Sequence, residues 1–492
     1  MKRGLFLVLA AAALFAAGAS AQGGKDSAPA ASAKSAEPVT VSWYLRPTAQ
    51  TDLDAVVNAL NEKHLIPKIG VKLDLRRVDP GEYKQKMQLI IASGEKFDLA
   101  HSAPRYDYYE NVARGAYLPL DDLLKANAPK TLATIRKEYW DAARVSGKIY
   151  GILNYQIFAR QSAFVYNEDL AKKYGLNLST VKSPKDIEPY LAAVKADPDY
   201  PKGSAILYLE KGFNGDVLPV IGLEQIGTTP GALFTDGSTK VVNMFATEQF
   251  KNFCLLMNSW YDKGYINKDA PTAAQALEMS KAGKVAAGLG NLKPGDQAER
   301  IAFFGGMKMV AASWSDPFVT SGSVVATMTS LSRTSPNPAK AIQFLELVNT
   351  DKEAFNVLAF GIDGKHFKKT GPNRIEQIPN SGYSPNAAWM FGNQFNAFLL
   401  PAQIDTVWED TIKLNDSAKT SAVMGFAFDP TPIKTEIANC AAVVDRYGPA
   451  LWTGSVAPNS LLPQFLKDLE AAGVAKLIVE QQRQIDAFLA SR

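Results

Sequence analysis

The sequence predicts an α/β fold with two lobes and extra C-terminal helices. Once the N-terminal segment is set aside, roughly 450 residues remain, more than one hydrophobic core usually accommodates. From residue 39 onward, strand-like and helix-like segments alternate, which is typical of a mainly parallel sheet covered by helices. A second alternating set begins near residue 163, and the chain beyond residue 385 is mostly helical.

Residues 1–21 have the pattern of a secretory signal peptide. Lys2 and Arg3 form a basic start, residues 5–17 form an apolar stretch of about thirteen residues, and "ASA" is a small-x-small cleavage site. The alternative is a retained membrane anchor, but the stretch is short for a membrane span. No cysteine stands at the cleavage point. We therefore expect cleavage near Ala21, a periplasmic location and no lipid anchor.

Residues 22–38 are predicted to form a flexible linker. They are rich in Gly, Ser, Ala and Pro and lack the apolar residues that a core requires. The linker could let the folded body reach a partner at the membrane, and a passive exit segment is the simpler alternative.

The first elements alternate as strand, helix, strand, helix, strand. They are "VTVSWYL", "DLDAVVNALNEKHL", "VKLDLRRV", "PGEYKQKMQLIIASGE" and "FDLAHS". In parallel sheets, ligands bind outside the carboxyl ends of the strands. Those ends carry "WYLRP" and "HSAPRYDYY". The candidate binding residues are therefore Tyr44, Arg46, Arg105 and Tyr106, although each could be an ordinary surface residue.

The remaining elements continue the alternation. A helix and strand precede residue 154, and a strand and helix follow in "SAFVYNEDLAKKYG". "AILYLEKG" predicts a strand and "TEQFKNFCLLMNSWYDKGYIN" a long helix. "SGSVVATMTSLS" predicts a strand before two helices, and "AKLIVEQQRQIDAFLA" predicts the final helix.

Composition excludes several functional classes. The formal net charge is +4, and subtracting the charges of Lys2 and Arg3 leaves +2, so no basic face for nucleic acid is expected. The three histidines show no zinc-binding spacing, and neither a nucleotide-binding loop nor a nucleophile elbow is present. We therefore expect no metal, no cofactor and no enzymatic activity. Cys254 and Cys440 could form a bridge or remain two buried thiols.

Four segments, in order, resemble the extracellular solute-binding proteins of bacterial ABC importers, family 1, which includes maltose-binding protein. They are "YKQKMQLIIASGEKFDLAHS", "VARGAYLPLDDLL", "GKIYGILNYQ…FVYNEDLAKKYGLN" and "NPAKAIQFLELVNTDKEAFN". Phe97 and Leu153 stand where the family usually has proline. "WMFGNQF", "GFAFDPTPIKTEIANC" and "EQQRQIDAFL" resemble the lipoprotein-LplA-like subgroup, whose members carry this helical C-terminal segment.

The resemblance implies a type II periplasmic-binding-protein fold with lobes joined by hinge strands. It implies lobe 1 at 39–158 and 322–375, and lobe 2 at 163–312 and 380–492. It also implies a monomer that binds a carbohydrate, uronate-containing oligosaccharides included, by hinge closure and delivers it to a membrane permease with its ATPase. The same fold binding a peptide or another small solute is the nearest alternative, and a secreted polysaccharide-active enzyme is a more distant one.

The family's first crossover between lobes corresponds to "NYQIFARQ". Later crossings are expected near "SWSDPFVTSGS" and soon after "GKHFKK". Aromatic rings stack on the apolar face of a sugar, while polar groups bind its hydroxyls, and an arginine fork fits a uronate carboxylate. The further candidates are Tyr155, Phe158 and Arg160 on the first crossing, Trp314 and Asp316 on the second, and Trp389, Asn393 and Gln394 from the second lobe. For Trp314 and Trp389, core packing is an equal alternative.

Overall fold

The structure, a computed structural model, describes residues 37–212, 218 and 220–491. Alternating strands and helices make up this part of the chain. The predicted signal peptide and nearly all of the predicted linker lie outside these residues. No helix in the described part is both long enough and apolar enough to cross a membrane.

The strands are short and are distributed over several sheets. In chain order they are β1 (Val39–Leu45), β2 (Val71–Arg77), β3 (Leu99–Ser102), β4 (Arg144–Val145), β5 (Lys148–Ile149), β6 (Ile152–Leu153), β7 (Ser162–Asn167), β8 (Ala205–Leu207), β9 (Leu223–Gln225), β10 (Gly231–Phe234), β11 (Val242–Asn243), β12 (Val285–Asn291), β13 (Met309–Ser313), β14 (Phe318–Val319), β15 (Met328–Leu331), β16 (Phe367–Gly371), β17 (Arg374–Gln377) and β18 (Lys419–Thr420).

The helices become longer toward the C-terminus. In chain order they are α1 (Leu53–Leu60), α2 (Ile66–Ile69), α3 (Tyr83–Ser93), α4 (Tyr108–Ala113), α5 (Asp121–Asn127), α6 (Pro129–Thr134), α7 (Lys137–Ala142), α8 (Glu168–Lys173), α9 (Glu188–Ala196), α10 (Glu248–Asp262), α11 (Ala276–Lys281), α12 (Gln297–Phe303), α13 (Ser321–Val324), α14 (Pro338–Thr350), α15 (Lys352–Phe360), α16 (Val407–Ser417), α17 (Lys434–Trp452), α18 (Pro458–Ala471) and α19 (Val474–Ala490).

The first lobe is organised around a sheet of order β2-β1-β3-β15-β6. β1 runs parallel to β2 and β3, as the alternation in the sequence predicts, whereas β15 is antiparallel to β3 and β6. Trp43 is fully buried on one face of β1, with Phe344 and Phe391 at centroid distances of 5.4 and 6.4 Å. The apolar face of the strand therefore anchors the core.

The second lobe has its own core and two sheets. One sheet has the order β13-β7-β12-β8, in which β12 runs parallel to β8 and antiparallel to β7, and the other has the order β11-β10-β9. The side chain of Asn167 accepts hydrogen bonds from the N–H groups of Asp169 and Leu170, so it caps α8 immediately after β7. Helices α10, α17 and α18 cover this core.

In the described residues the chain passes between the two cores three times, in segments 154–161, 314–320 and 418–423, which we call the crossing segments. Arg160 and Phe318 exchange backbone hydrogen bonds of 2.8 Å, and β14 pairs in parallel with β18. The three segments therefore lie side by side, as hinge strands must.

The third crossing lies later in the chain than the sequence predicted. The hairpin of β16 and β17 follows "GKHFKK", and buried residues between 387 and 418 then pack into the first core. Residues 380–418, which the predicted boundary assigned to the second lobe, therefore belong to the first. Hydrogen bonds from Phe158 and Ala159 to Asn415 join this segment to the first crossing. Such contacts between distant residues leave no local pattern that would mark the boundary.

Both cysteines are buried and free. Burial raises the pKa of the Cys254 thiol to about 12 and, together with nearby Glu436, raises the pKa of the Cys440 thiol to about 11. Of the two alternatives that the sequence left open, the structure has the pair of buried thiols.

Candidate functional site

The carboxyl ends of β1 and β3 lie at the edge of the first sheet that faces the crossing segments. In the sheet register, Met328 is opposite both Ser102, the last residue of β3, and Leu153, which directly precedes the first crossing. Residues that follow β1 and β3 are therefore brought next to the hinge, as the rule for parallel sheets predicts.

Four of the predicted site residues meet at this edge, and we call them the arginine–aromatic cluster: Arg46, Arg105, Tyr106 and Trp389. The guanidinium carbon of Arg46 lies 5.1 Å from the ring centroid of Tyr106 and 5.2 Å from that of Trp389. The guanidinium carbon of Arg105 lies 5.0 Å from the Tyr106 centroid. Cation–π attraction holds both arginines near the rings.

The cluster is electropositive and partly shielded from water. Burial, with a contribution from the charge of Arg105, lowers the pKa of Arg46 from its ordinary value, although the group remains charged at neutral pH. The Nε of Arg46 is buried and has no hydrogen-bond partner in the described residues. Beneath it lies His101, whose two ring nitrogens are buried and also lack partners there. Burial and the two arginine charges lower the pKa of His101, so its ring is neutral.

The second lobe contributes a pocket of about 430 Å³ beside β8 and β12. The carboxyl end of β12 lies beside the start of β7, since Asn291 is opposite Ser162, and β8 runs parallel to β12 with its last residue, Leu207, opposite Ala287. The described lining is mainly apolar and aromatic and includes the carboxylate of Glu210, which accepts a hydrogen bond from the Ala276 N–H. Its aromatic lining residues are Tyr208, Phe253, Phe303, Phe304 and Trp452.

The first crossing differs from the prediction that it exposes its side chains. Phe158 is 0% exposed and packs against Tyr139, and Tyr155 is 5% exposed. Arg160 is exposed, as expected. The Asn415 side chain of α16 accepts hydrogen bonds of 2.8 and 3.0 Å from the backbone N–H groups of Phe158 and Ala159. Because this crossing is anchored to α16, the Phe158 ring contributes to the core and not to a ligand surface.

Tyr44 is also placed differently from the prediction. It is buried on the opposite face of β1 from Trp43, where it packs against Phe97 under α3. Its hydroxyl donates to Glu95 and accepts from Arg76. All these contacts are internal, so Tyr44 contributes to the fold and lies outside the arginine–aromatic cluster.

The second crossing carries Trp314 and Asp316. Trp314 is 8% exposed and packs in the second core, with its ring 5.9 Å from that of Phe164. Of its two alternatives, ligand binding and core packing, the structure therefore has core packing. Asp316 is exposed and forms a 3.1 Å ion pair with Lys419 of the third crossing. Such an exposed pair contributes little to stability, but it lies between two hinge strands.

Trp389, Asn393 and Gln394 lie in the first lobe, and not in the second as predicted. Trp389 is half-buried in the cluster, whereas the Asn393 side chain accepts a hydrogen bond from the Phe395 N–H. The backbone N–H of Gln394 donates to the Tyr155 carbonyl, and Phe395 packs edge-on against Tyr155. The segment thus lines the base of the first lobe.

Sequence reasoning did not find the pocket of the second lobe. Tyr208 and Glu210 directly follow β8, and the strand-end rule applied to "AILYLEKG" would have indicated them. Trp452 lies at the end of α17 and donates its indole N–H to the Lys211 carbonyl. No local sequence signal indicates this contact. No cluster of three or more metal-binding side chains occurs in the residues that the structure describes.

Comparisons with known proteins agree with this architecture. A family model described as bacterial extracellular solute-binding protein matches residues 49–355, and a domain of unknown function matches residues 422–490. A carbohydrate ABC transporter substrate-binding protein of Streptococcus pneumoniae serotype 4 is 27% identical over 469 residues, which cover 94% of this chain and 93% of that protein.

Solved structures of the N-glycan transport solute-binding protein NgtS from Streptococcus pneumoniae are also similar. One has a TM-score of 0.81 at 25% identity and covers 92% of this chain and 99% of that one. With the same coverage, the NgtS complex with Man1GlcNAc has a TM-score of 0.69 at 25% identity, and the complex with Man5GlcNAc 0.65 at 26%.

Proposed function

This chain belongs to the bacterial extracellular solute-binding protein family, and we propose that it captures an oligosaccharide between its two lobes for an ABC importer. The family model covers residues 49–355, which include parts of both lobes and the first two crossing segments. We further propose export by the predicted signal peptide, a periplasmic location, a monomeric state and delivery to a membrane permease with its ATPase.

The single observation that carries the proposal is the arrangement of aromatic rings on both sides of the hinge. Tyr106 and Trp389 lie at the edge of the first lobe, and the second lobe holds an aromatic pocket beside β8 and β12. Pyranose rings present apolar C–H faces to such rings and a rim of hydroxyls to arginine, glutamate and backbone groups. This combination suits a sugar that both lobes contact.

The relatives support a carbohydrate as the ligand. The full-length relative is named as a carbohydrate ABC transporter substrate-binding protein, and the NgtS complexes contain Man1GlcNAc and Man5GlcNAc. The TM-score of 0.81 for the first NgtS structure is higher than the values of 0.69 and 0.65 for the complexes with Man1GlcNAc and Man5GlcNAc. Since all three are the same protein, this difference concerns conformation, and the lobes of this chain are arranged more like those of the former.

Closure on the ligand follows from the crossing segments. Three adjacent extended segments can change their backbone angles while each lobe remains packed. A sugar that contacts both lobes favours the closed arrangement by the difference between its affinities for the closed and open states. The chain then acts as a binding protein, and no catalytic step is required of it.

A thermal-unfolding screen tests the proposed function. Purified protein is heated with neutral oligosaccharides, uronate oligosaccharides, peptides and polyamines, and a tight ligand raises the melting temperature by mass action. We expect shifts with oligosaccharides that remain uncleaved on prolonged incubation, as checked by mass spectrometry. Shifts with peptides and none with sugars would contradict the carbohydrate proposal, and cleavage products would contradict a purely binding role.

A further inference from the structure

The arginines that stack on aromatic rings differ in whether a carboxylate neutralises them. Arg76 lies over Tyr44, and its Nε is 2.8 Å from a carboxylate oxygen of Asp74. Arg136 over Tyr139 and Arg446 over Tyr447 likewise have a carboxylate within 4 Å, from Glu138 and Asp468 respectively. Pairing with an acid is thus the usual state of a stacked arginine in this chain.

Arg46 and Arg105 lack any such carboxylate in the described residues. Arg46 is partly buried between two rings, and its guanidinium forms no hydrogen bond there. Burial lowers the pKa of Arg46 most, and the charge of Arg105, which has the same sign, lowers it further. Two positive groups therefore lie near Tyr106, at 5.1 and 5.0 Å from its ring centroid, and neither forms an ion pair with a carboxylate of the described residues.

A partly desolvated charge normally has a counter-ion, because its lost hydration is otherwise uncompensated. Because the Nε of Arg46 is buried, its two Nη groups form the edge of the guanidinium that remains for a ligand. That edge is the fork that binds a carboxylate with two parallel hydrogen bonds. Neutral, buried His101 beneath it contributes no compensating negative charge.

We infer that the first lobe selects an acidic sugar residue, whose carboxylate binds to Arg46 in the positive field that Arg105 strengthens, while its ring lies against Trp389. This inference rests on the proposed function, because it specifies the class of carbohydrate. It also departs from the sugars named for NgtS, since mannose and N-acetylglucosamine carry no charge.

The test uses matched pairs of saccharides that differ only in the anionic group. Uronate-containing oligosaccharides are compared with their carboxyl-reduced forms, and sulfated oligosaccharides with their desulfated forms, by calorimetric titration of the full chain. We expect the uronate form to bind at least tenfold more tightly than its reduced form, with an affinity that falls as salt concentration rises. A preference for the sulfated member alone would contradict the assignment of a carboxylate.

Variants locate the preference. Arg46→Gln should weaken the uronate saccharide at least tenfold more than its reduced form, and Arg46→Lys should retain part of the preference because lysine keeps the charge but lacks the fork. Arg76→Gln is the matched control, since Arg76 also stacks on a tyrosine but is paired with acids. Melting temperatures without ligand show whether each variant is folded.

The outcomes separate this inference from the proposed function. Equal affinities within the matched pairs, or an equal loss for both members in Arg46→Gln, would overturn the acidic specificity and leave carbohydrate binding intact. Binding of peptides with no response to any saccharide would overturn both.

Discussion

At the scale of single residues, the tryptophans show how environment decides function. Trp43 is fully buried and anchors the first core, Trp314 is packed against Phe164 in the second, and Trp389 is half-buried beside Arg46. All three have similar apolar contexts in the sequence. Their different exposure decides which of them can contact a solute.

Replacement of two tryptophans should therefore have different effects. Trp389→Ala is expected to weaken the oligosaccharide found by the screen more than tenfold, or about 1.4 kcal/mol, with the fold intact. Trp314→Ala, predicted from the sequence to do the same, should instead lower the free energy of unfolding by about 3–5 kcal/mol through a core cavity. Titration and denaturant unfolding measure both, and an unchanged affinity in Trp389→Ala would contradict the assigned site.

Glu224 of β9 should make stability depend on pH. Burial raises the pKa of its carboxyl to about 7, and its hydrogen bond with Ser421, in the third crossing, offsets only part of this rise. The folded state therefore holds a proton that the unfolded state has already lost above the ordinary value of 4.5. Stability from this group is complete below pH 4.5 and falls as pH rises to about 7, by on the order of 1–3 kcal/mol.

Glu224→Gln should remove this pH dependence. Thermal unfolding at pH 5 and pH 8 is compared for the wild type, Glu224→Gln and Glu376→Gln, in which an exposed glutamate of β17 is replaced. The difference in melting temperature between pH 5 and pH 8 should become smaller only in Glu224→Gln. An equal difference in all three proteins would show that the pKa of Glu224 is not raised in the folded state.

At the scale of elements, the C-terminal helix α19 is fitted against the three-stranded sheet. Gln481 is fully buried and donates a 2.8 Å hydrogen bond to the hydroxyl of Thr229. Ile485 packs with Leu233 of β10 and with Val423 of the third crossing. The helix therefore joins the sheet of the second lobe to a hinge strand, which gives the C-terminal segment a structural role.

Gly231 at the start of β10 should be intolerant of a side chain. A Cβ atom there would lie 1.7 Å from the Oε1 of Gln481, so Gly231→Ala should lower the free energy of unfolding by about 1–3 kcal/mol. Adding Gln481→Ala should restore part of the loss by creating space. Gly371→Ala is the control, because a Cβ in that strand meets only an ordinary 3.8 Å contact. Denaturant unfolding of the four proteins tests this, and equal losses in Gly231→Ala and Gly371→Ala would contradict it.

At the scale of the whole molecule, both thiols report on the integrity of the second lobe. Cys254 lies in α10 and Cys440 in α17, and both belong to the second core. Their raised pKa values keep them protonated at neutral pH, and a protonated thiol is a poor nucleophile. The folded protein should therefore react negligibly with a thiol reagent.

A reagent that reports free thiols measures this directly. We expect less than a tenth of the two thiols to react in native buffer over an hour, and both to react in concentrated denaturant. Rapid reaction in native buffer would show that the second lobe opens. Absence of reaction in denaturant would show a disulfide.

The sequence by itself determined the α/β class and the parallel start of the first sheet. These features follow from local periodicity, and the strand-end rule then placed Arg46, Arg105 and Tyr106 at one edge. Family resemblance in ordered motifs supplied the two-lobed architecture. Neither depends on contacts between distant parts of the chain.

Only the tertiary structure decided the late third crossing, the burial of Phe158 and the lobe to which Trp389 belongs. Each depends on packing between segments far apart in sequence, such as the hydrogen bonds from Phe158 and Ala159 to Asn415. The same holds for the missing counter-ion of Arg46, because a charge is paired or unpaired only through neighbours that the fold brings to it. Local sequence patterns do not indicate which residues become those neighbours. The proposed specificity of the site depends on these neighbours.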